Sequence, residues 1–385
     1  MKSTTLGRRD WLKAGLGLAL GSAFPLSLQA ETKQYLNRVH PHTGRWMLEE
    51  APVALKARLT SNENPYGPSD RAKMAIIHGF KDANLYSRTV AIELKSKIAA
   101  YEGVRPEQVF LCAGLSELLN LVGAVTGLEH GDLVSAHPTF DLMLTTASAI
   151  GGQWIKVPLN KKFEHDLGAM EKAITAKTKL VYICNPGNPC STIVDPEELS
   201  AFCSRVSKKT LVFVDEAYND YIPDAARHSM VSRLRAGDQV MIGKTLSKIH
   251  GFAGLRVAYA LATTGFIKEL EKYRTWDFTM NAPSMHGALA TLQDEEFKQY
   301  CVMKNREARE LAVKGLIALG YEPLPSYTNF LIFPIQKEGK SFVQVMQNQG
   351  IGLRSWYFND KHWCRVSVGT SEEMQLFLDA LKQVG

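Results

Sequence analysis

Six cysteines, at positions 112, 184, 190, 203, 301 and 364, form no C-x-x-C pair, and no histidine or cysteine group has the spacing of a metal site. Several of these cysteines lie within apolar runs, which favours buried free thiols over a disulfide framework and excludes a zinc-ribbon class of protein. Basic runs interleaved with aromatic residues are also missing, so nothing points to a nucleic-acid partner. The chain contains no internal repeat and no low-complexity linker. The apolar stretch Ala14–Leu28 falls short of the roughly 20 residues a membrane-spanning helix needs, and Pro25 interrupts it.

That stretch does fit an export signal. Gly7-Arg8-Arg9-Asp10-Trp11-Leu12-Lys13 precedes it, and Leu28-Gln29-Ala30 ends it on a small residue. Paired arginines before a Gly- and Ala-rich apolar run predict a twin-arginine signal over 1–30, cleaved after Ala30. The twin-arginine export machinery would then be a partner and the destination periplasmic or extracellular. A short membrane anchor and an amphipathic helix are the alternatives. Residues 1–30 carry four basic side chains against Asp10, so the net charge of +6 falls to +3 without them, too mild to argue for a polyanionic partner.

The remaining chain alternates strand-like and helical segments. Apolar, often β-branched runs recur at 108–112, 132–136, 153–157, 179–184, 211–215, 239–243 and 256–261, with helical patterns such as Pro196 to Val206 between them. This alternation predicts an α/β fold with a largely parallel seven-stranded sheet covered by helices. About 355 residues exceed what one core usually holds, so two lobes are expected. They would be a large domain over 59–284, preceded by an arm at 31–58, and a smaller α+β domain over 285–385. Strands in the smaller part are predicted at 329–334, 352–354 and 364–368, before a closing helix from Ser371.

The chemistry gathers after the strands. Lys248 ends the run Lys244-Thr245-Leu246-Ser247-Lys248, with Gly254-Leu255-Arg256 soon after. A lysine that works covalently forms a Schiff base and needs surroundings that lower its pKa. Arg256 and the hydroxyls of Thr245 and Ser247 would supply the donors that grip a phosphate. A lysine beside a phosphate grip points to pyridoxal 5'-phosphate. A solvated loop lysine is the plainer alternative, and the upstream residues argue against it. Leu211–Val214 reads as a buried strand running into Asp215-Glu216-Ala217-Tyr218, where open α/β sheets hold their ligands. Asp215 would keep a pyridine nitrogen protonated and Tyr218 would donate to the ring's phenolic oxygen. Alternatively, Asp215 would cap a helix starting at Glu216. A further strand, Leu180–Cys184, ends in Asn185-Pro186-Gly187-Asn188-Pro189, whose two Asn-Pro steps turn Asn188 toward the same sheet edge.

These pieces resemble the fold-type-I, class I/II pyridoxal-phosphate aminotransferases, and within them the histidinol-phosphate aminotransferase branch. The resemblance runs from about Leu59 to near the C-terminus. It is carried in family order by Asn62-Glu63-Asn64-Pro65-Tyr66-Gly67-Pro68, Gly114-Leu115-Ser116-Glu117, His137-Pro138-Thr139-Phe140, Asn185–Pro189, Asp215–Tyr218, Thr245–Lys248 with Arg256, and Arg365-Val366-Ser367-Val368-Gly369-Thr370.

The resemblance implies roles. Lys248 would hold the cofactor and move the proton at the substrate α-carbon, with Asp215 and Tyr218 as the other catalytic residues. Leu115 and Ser116, opening a helix, would offer backbone N–H groups to the phosphate, though an ordinary strand–helix turn looks the same in sequence. Phe140 would stack on the ring, where many relatives carry tyrosine; a core phenylalanine is the alternative. Tyr86, in Leu85-Tyr86-Ser87-Arg88, resembles the tyrosine that reaches a partner subunit's cofactor phosphate, which makes a homodimer the expected active unit. Asn188 would contact both cofactor and substrate, and Arg365 would bind the substrate by a bidentate grip on its α-carboxylate. Arg354 and Tyr66 would face a distal anionic group, or else be structural.

Four positions depart from the family pattern. Cys190 and Ser191 replace the usual Thr-Gly, Ser87 stands where proline is common after Tyr86, and His250 occupies a position usually aromatic, reading here as a packing residue. The departures leave the donor and acceptor open. Export suits the chemistry, because twin-arginine systems carry proteins folded around their cofactor, but it separates the enzyme from a cytoplasmic histidine pathway. Two other functions compete with transamination: a pyridoxal-phosphate decarboxylase sharing Lys248, Asp215 and Arg256, and a non-catalytic binding protein. Loss of Lys248 or Asp215 would mark the latter, and both are present.

Overall fold

Alternate residues of the central strands belong to two different apolar cores, so these strands form a sheet buried on both faces. In the computed structural model, which describes residues 55–274 and 280–384, seven strands join in the order β2-β8-β7-β6-β5-β3-β4. They are β2 (Val109–Cys112), β3 (Asp132–His137), β4 (Gln153–Pro158), β5 (Thr178–Cys184), β6 (Leu211–Asp215), β7 (Val240–Thr245) and β8 (Ala258–Leu261). Only β8 runs against its neighbours. Val181, Ile183, Val212 and Val214 pack on one face, and Leu180, Tyr182, Cys184 and Phe213 on the other. By the same period of two, Asp215 at the end of β6 shares the face of Tyr182 and Cys184. The seven strands lie within two residues of the segments expected from hydropathy.

Helices cover both faces, and Pro196–Val206 shows why they form. Asp195 caps it by accepting from the Glu197 and Glu198 amides at 3.0 Å each, and proline takes the first helical position. Leu199, Phe202, Cys203 and Val206 recur at helical spacing and are all buried. Of the long helical stretch expected after Ser284, two helices form, Ala282–Thr291 and Glu295–Ala318.

A second sheet holds three antiparallel strands in the order β11 (Arg354–Phe358), β12 (Lys361–Ser367), β9 (Phe330–Ile335). Leu331, Phe333, Cys364 and Val366 pack it against Phe377 and Leu381 of the closing helix Ser371–Val384. One sequence expectation is corrected here. The run at 352–354 is not one strand: β10 (Ile351–Gly352) pairs in parallel with β1 (Ala57–Arg58), and Arg354 opens β11 in a different sheet. Burial explains the break. Ile351 and Leu353 are core residues, whereas Arg354 is exposed. The expected signal at 1–30 and most of the arm at 31–58 lie outside the described residues. All six cysteines are buried free thiols.

Candidate active site

At the carboxyl ends of β5, β6 and β7, three consecutive parallel neighbours, the chain leaves the sheet through the segments that carry Asn188, Asp215 and Lys248. β3 connects outward to β4 while β5 to β7 proceed the other way, so the crevice lies at the switch in strand order, where doubly wound sheets bind ligands. A cavity of about 240 Å³ opens there. Its walls include Leu115, Ser116, Phe140, Asn188, Asp215, Tyr218, Thr245, Ser247, Lys248 and Arg256. Ten residues singled out from widely spaced parts of the sequence therefore meet in one place.

Lys248 donates from Nζ to the carbonyl oxygens of Ser61 and Asn62, both at 3.1 Å, and stands 5.6 Å from the Tyr218 ring centroid. Burial, reinforced by the Arg365 charge, lowers its pKa to about 8. An amine so placed is neutral often enough near neutral pH to act as a nucleophile or base. Asp215 is 2% exposed and its pKa is pushed up by burial to about 6, against the opposing donations it receives. Those donors are the Tyr182 hydroxyl, 2.9 Å from Oδ2, and the Ala217 amide, 3.0 Å from Oδ1. Asp215 therefore caps a local turn with one oxygen, and no α-helix starts at Glu216. Tyr218 accepts from Asn62 Nδ2 at 3.0 Å.

At the opposite wall, two residues separate the end of β2 from the helix Leu115–Leu128, whose first amides, Leu115 and Ser116, open its N-terminal end. Gly114, at φ +83°, makes the close approach possible: a Cβ there would come within 1.9 Å of Arg256 Nη2. Arg256 itself is held at φ +56°. A non-glycine residue in the left-handed region costs energy that the surrounding structure must offset, a situation that clusters at ligand sites. A phosphate would meet the amides of Leu115 and Ser116, the hydroxyls of Thr245 and Ser247, and the Arg256 guanidinium. With a buried carboxylate and an amine of lowered pKa in the same cavity, these groups fit pyridoxal 5'-phosphate.

Arg365 stands behind Asn188 and is only 4% exposed. Its Nη1 donates to Asn188 Oδ1 at 2.8 Å and Nη2 to the Thr60 carbonyl at 2.9 Å, while Nε has no partner among the described residues. Burial, with Arg354 nearby, lowers its pKa to about 10. Four of the expected site residues are not on the cavity wall: Arg365, behind Asn188, and Arg354, Tyr66 and Tyr86. Arg354 is exposed and faces Arg365 across the β11–β12 ladder. Tyr66 packs edge-on against Tyr300, ring centroids 5.4 Å apart. Tyr86 is 88% exposed, beside Leu85 and Phe80.

Several residues at the site escaped the sequence reading. Asn62, at φ +55°, bonds Tyr218, receives from Asn329 at its carbonyl, and joins Ser367 through both its amide and its side chain. It lies in the quoted Asn62–Pro68 segment, and only the fold shows which asparagine of that segment bonds the cavity residues Tyr218 and Lys248. His250, by contrast, read from the sequence as a packing residue, is buried against Thr291 at 3.1 Å. Beneath the site, Lys244 pairs with Glu102 at 3.0 Å and Glu216 at 3.6 Å, tying β7 to the residue after Asp215.

Comparison with known proteins agrees with this geometry. The family model described as aminotransferase class I and II matches residues 56–381. A histidinol-phosphate aminotransferase of Moorella thermoacetica is 33% identical over 94% of this chain and 95% of its own. The one from Brevibacillus brevis is 34% identical over 85% of this chain and 90% of its own. The solved structure of histidinol-phosphate aminotransferase from Sinorhizobium meliloti in complex with pyridoxal-5'-phosphate superposes with a TM-score of 0.77 at 23% identity, covering 91% of this chain and all of that one. A cavity with a lowered-pKa lysine, a buried carboxylate and a phosphate grip thus sits on a chain that belongs to the class I and II aminotransferases.

Proposed function

We propose that this pyridoxal-phosphate aminotransferase takes an amino donor carrying an anionic group, with histidinol phosphate as the first candidate, and passes its nitrogen to a 2-oxo acid. The buried Arg365, with Nε unpartnered and Arg354 across the ladder, is the observation that carries this reading. An unpaired buried guanidinium donor is costly unless a ligand satisfies it. Identity of about one third to two histidinol-phosphate aminotransferases supports the choice of donor.

When bound, pyridoxal 5'-phosphate supplies an aldehyde for the amino nitrogen and a ring that draws electrons from the α-carbon. The chain's own residues do the rest. Asp215, an acceptor on the cavity wall, would hold the ring nitrogen in its protonated form. Lys248 Nζ, partly neutral near pH 8, would take the proton from the donor's α-carbon and pass it to C4' of the bound cofactor, and would carry one the opposite way when the oxo acid is aminated. Arg365 and Asn188 fix the donor's anionic group so that its Cα–H bond faces Lys248. Phe140 lines the same cavity and would cover a ring held there, and Tyr218, bonded by Asn62, would offer it a hydroxyl. The large and small domains proposed at 59–284 and 285–385 would each contribute, since Asn188 follows β5 of the large sheet and Arg365 lies on β12 of the small one.

The working unit is proposed to be a homodimer. Met74, Ile77, Phe80, Leu85, Tyr86 and Ile92 are all more than half exposed, an apolar surface that a second copy would cover. Tyr86 would then reach the partner's phosphate site. Export through the twin-arginine pathway is also proposed, on Arg8-Arg9 and the following apolar run. An exported enzyme would meet other amines and amino acids than the cytoplasmic histidine pool, so donor and location must be tested together.

The deciding experiment is the absorbance spectrum of the cofactor-loaded protein before and after histidinol phosphate, with no oxo acid present. Loss of the visible band supports transamination of this donor. An unchanged band rejects it and leaves the class of reaction standing. Release of carbon dioxide from an amino-acid donor would favour a decarboxylase instead. Fractionation of the native host would test export, and sedimentation would test the dimer.

A further inference from the structure

Tyr182 lies on β5, one strand over from Asp215, and its side chain is wholly buried. In the parallel register Tyr182 faces Phe213 and Cys184 faces Asp215, so the phenol reaches its carboxylate diagonally, along the shared face of the sheet. The hydroxyl donates to Asp215 Oδ2 at 2.9 Å, and the Tyr182 ring is clamped edge-on by Phe213, centroids 5.6 Å apart. Oδ1 is taken by the Ala217 amide. Each oxygen of Asp215 thus has one fixed donor, and the carboxylate plane is set before any ligand arrives. Phenylalanine would fill the same apolar space, so packing alone does not call for the hydroxyl.

We infer that Tyr182 is a positioning residue for the cofactor: its hydroxyl orients the Asp215 carboxylate and stabilises its anionic form, so that the site prefers a ring with a protonated nitrogen. The inference rests on the reading of Asp215 as the ring-nitrogen partner. A donor that fixes a buried acceptor does so in the cofactor-free protein as well, and the recognition of the nitrogen becomes a property of two residues. A hydrogen bond to a charged group is strong enough for its loss to change an equilibrium about tenfold or more.

The test compares two ligands on the cofactor-free protein. Dissociation constants are measured for pyridoxal 5'-phosphate and for its 1-deaza analogue, which keeps the aldehyde and phosphate but has carbon in place of the ring nitrogen. The wild type should prefer the nitrogen-containing ring. Tyr182→Phe should reduce that preference about tenfold while leaving affinity for the analogue within twofold. Equal weakening of both ligands would mean a purely structural role and overturn the inference, as would an unchanged preference. No preference in the wild type would instead overturn the reading of Asp215. Should Y182F fail to fold, 3,5-difluorotyrosine at 182 keeps the shape and changes only the hydroxyl's acidity. A shifted preference then supports the inference, and an unshifted one overturns it.

Discussion

Replacing Asp215 by asparagine in the cofactor-free protein should remove a pH dependence of stability that can be worked out from the fold. The Asp215 carboxyl titrates at about 6 in the native protein against an ordinary 3.8, because burial disfavours its charge more than Tyr182 and Ala217 stabilise it. Between those two values the folded chain holds a proton that the unfolded chain has released. Stability from this group is therefore complete below about pH 4 and is lost as pH rises through about 6. The gap corresponds to roughly 3 kcal/mol at 1.36 kcal/mol per pH unit. Asparagine has no charge to bury and lacks this slope. It also has one acceptor oxygen for two buried donors, which costs about 1–3 kcal/mol at every pH. Asp215→Asn should thus be the less stable protein at pH 4 and gain about 3 kcal/mol on wild type by pH 7. Denaturant unfolding at fixed ionic strength across that range measures both terms. A difference between the two proteins that stays constant from pH 4 to 7 would refute the reasoning.

Other consequences are simpler to state. Lys248→Ala should abolish turnover and the lysine-dependent visible absorbance, with cofactor still retained in part on the phosphate grip; turnover at a normal rate would dismiss Lys248 as the catalytic base. Arg365→Met removes a cation whose field helps to lower the Lys248 pKa, so the pH profile of cofactor capture, centred near 8 in wild type, should move to higher pH, and the KM of an anionic donor should rise about a hundredfold. Gly251→Ala places a Cβ 2.3 Å from the Gly67 backbone at φ +72°, and should cost roughly 2–4 kcal/mol, read as a lowered Tm and looser hold on the Lys248 loop. Gly114→Ala pushes Arg256 off the first turn of the 115–128 helix and should weaken phosphate-dependent cofactor affinity about tenfold while leaving the helix folded, as circular dichroism would report.

The sheet and most of the cavity were legible in the order of residues along the chain. Short apolar runs that end in Asp215 or lead within four residues to Asn188 and Lys248 specify both strands and ligand-side residues, because a parallel sheet buried on two faces needs continuous apolar strands and leaves polar residues at or beyond their ends. The tertiary structure decided what alternation and motif cannot encode. Tyr182 reads as one more apolar strand residue until the β5–β6 register sets its hydroxyl against Asp215. Asn62 becomes a hub only because β1 pairs with β10, nearly three hundred residues away, and carries the following segment to the cavity. Arg354 and Arg365 look equivalent as strand arginines. The fold buries one behind Asn188 and leaves the other exposed on β11, since accessibility depends on which strand covers which.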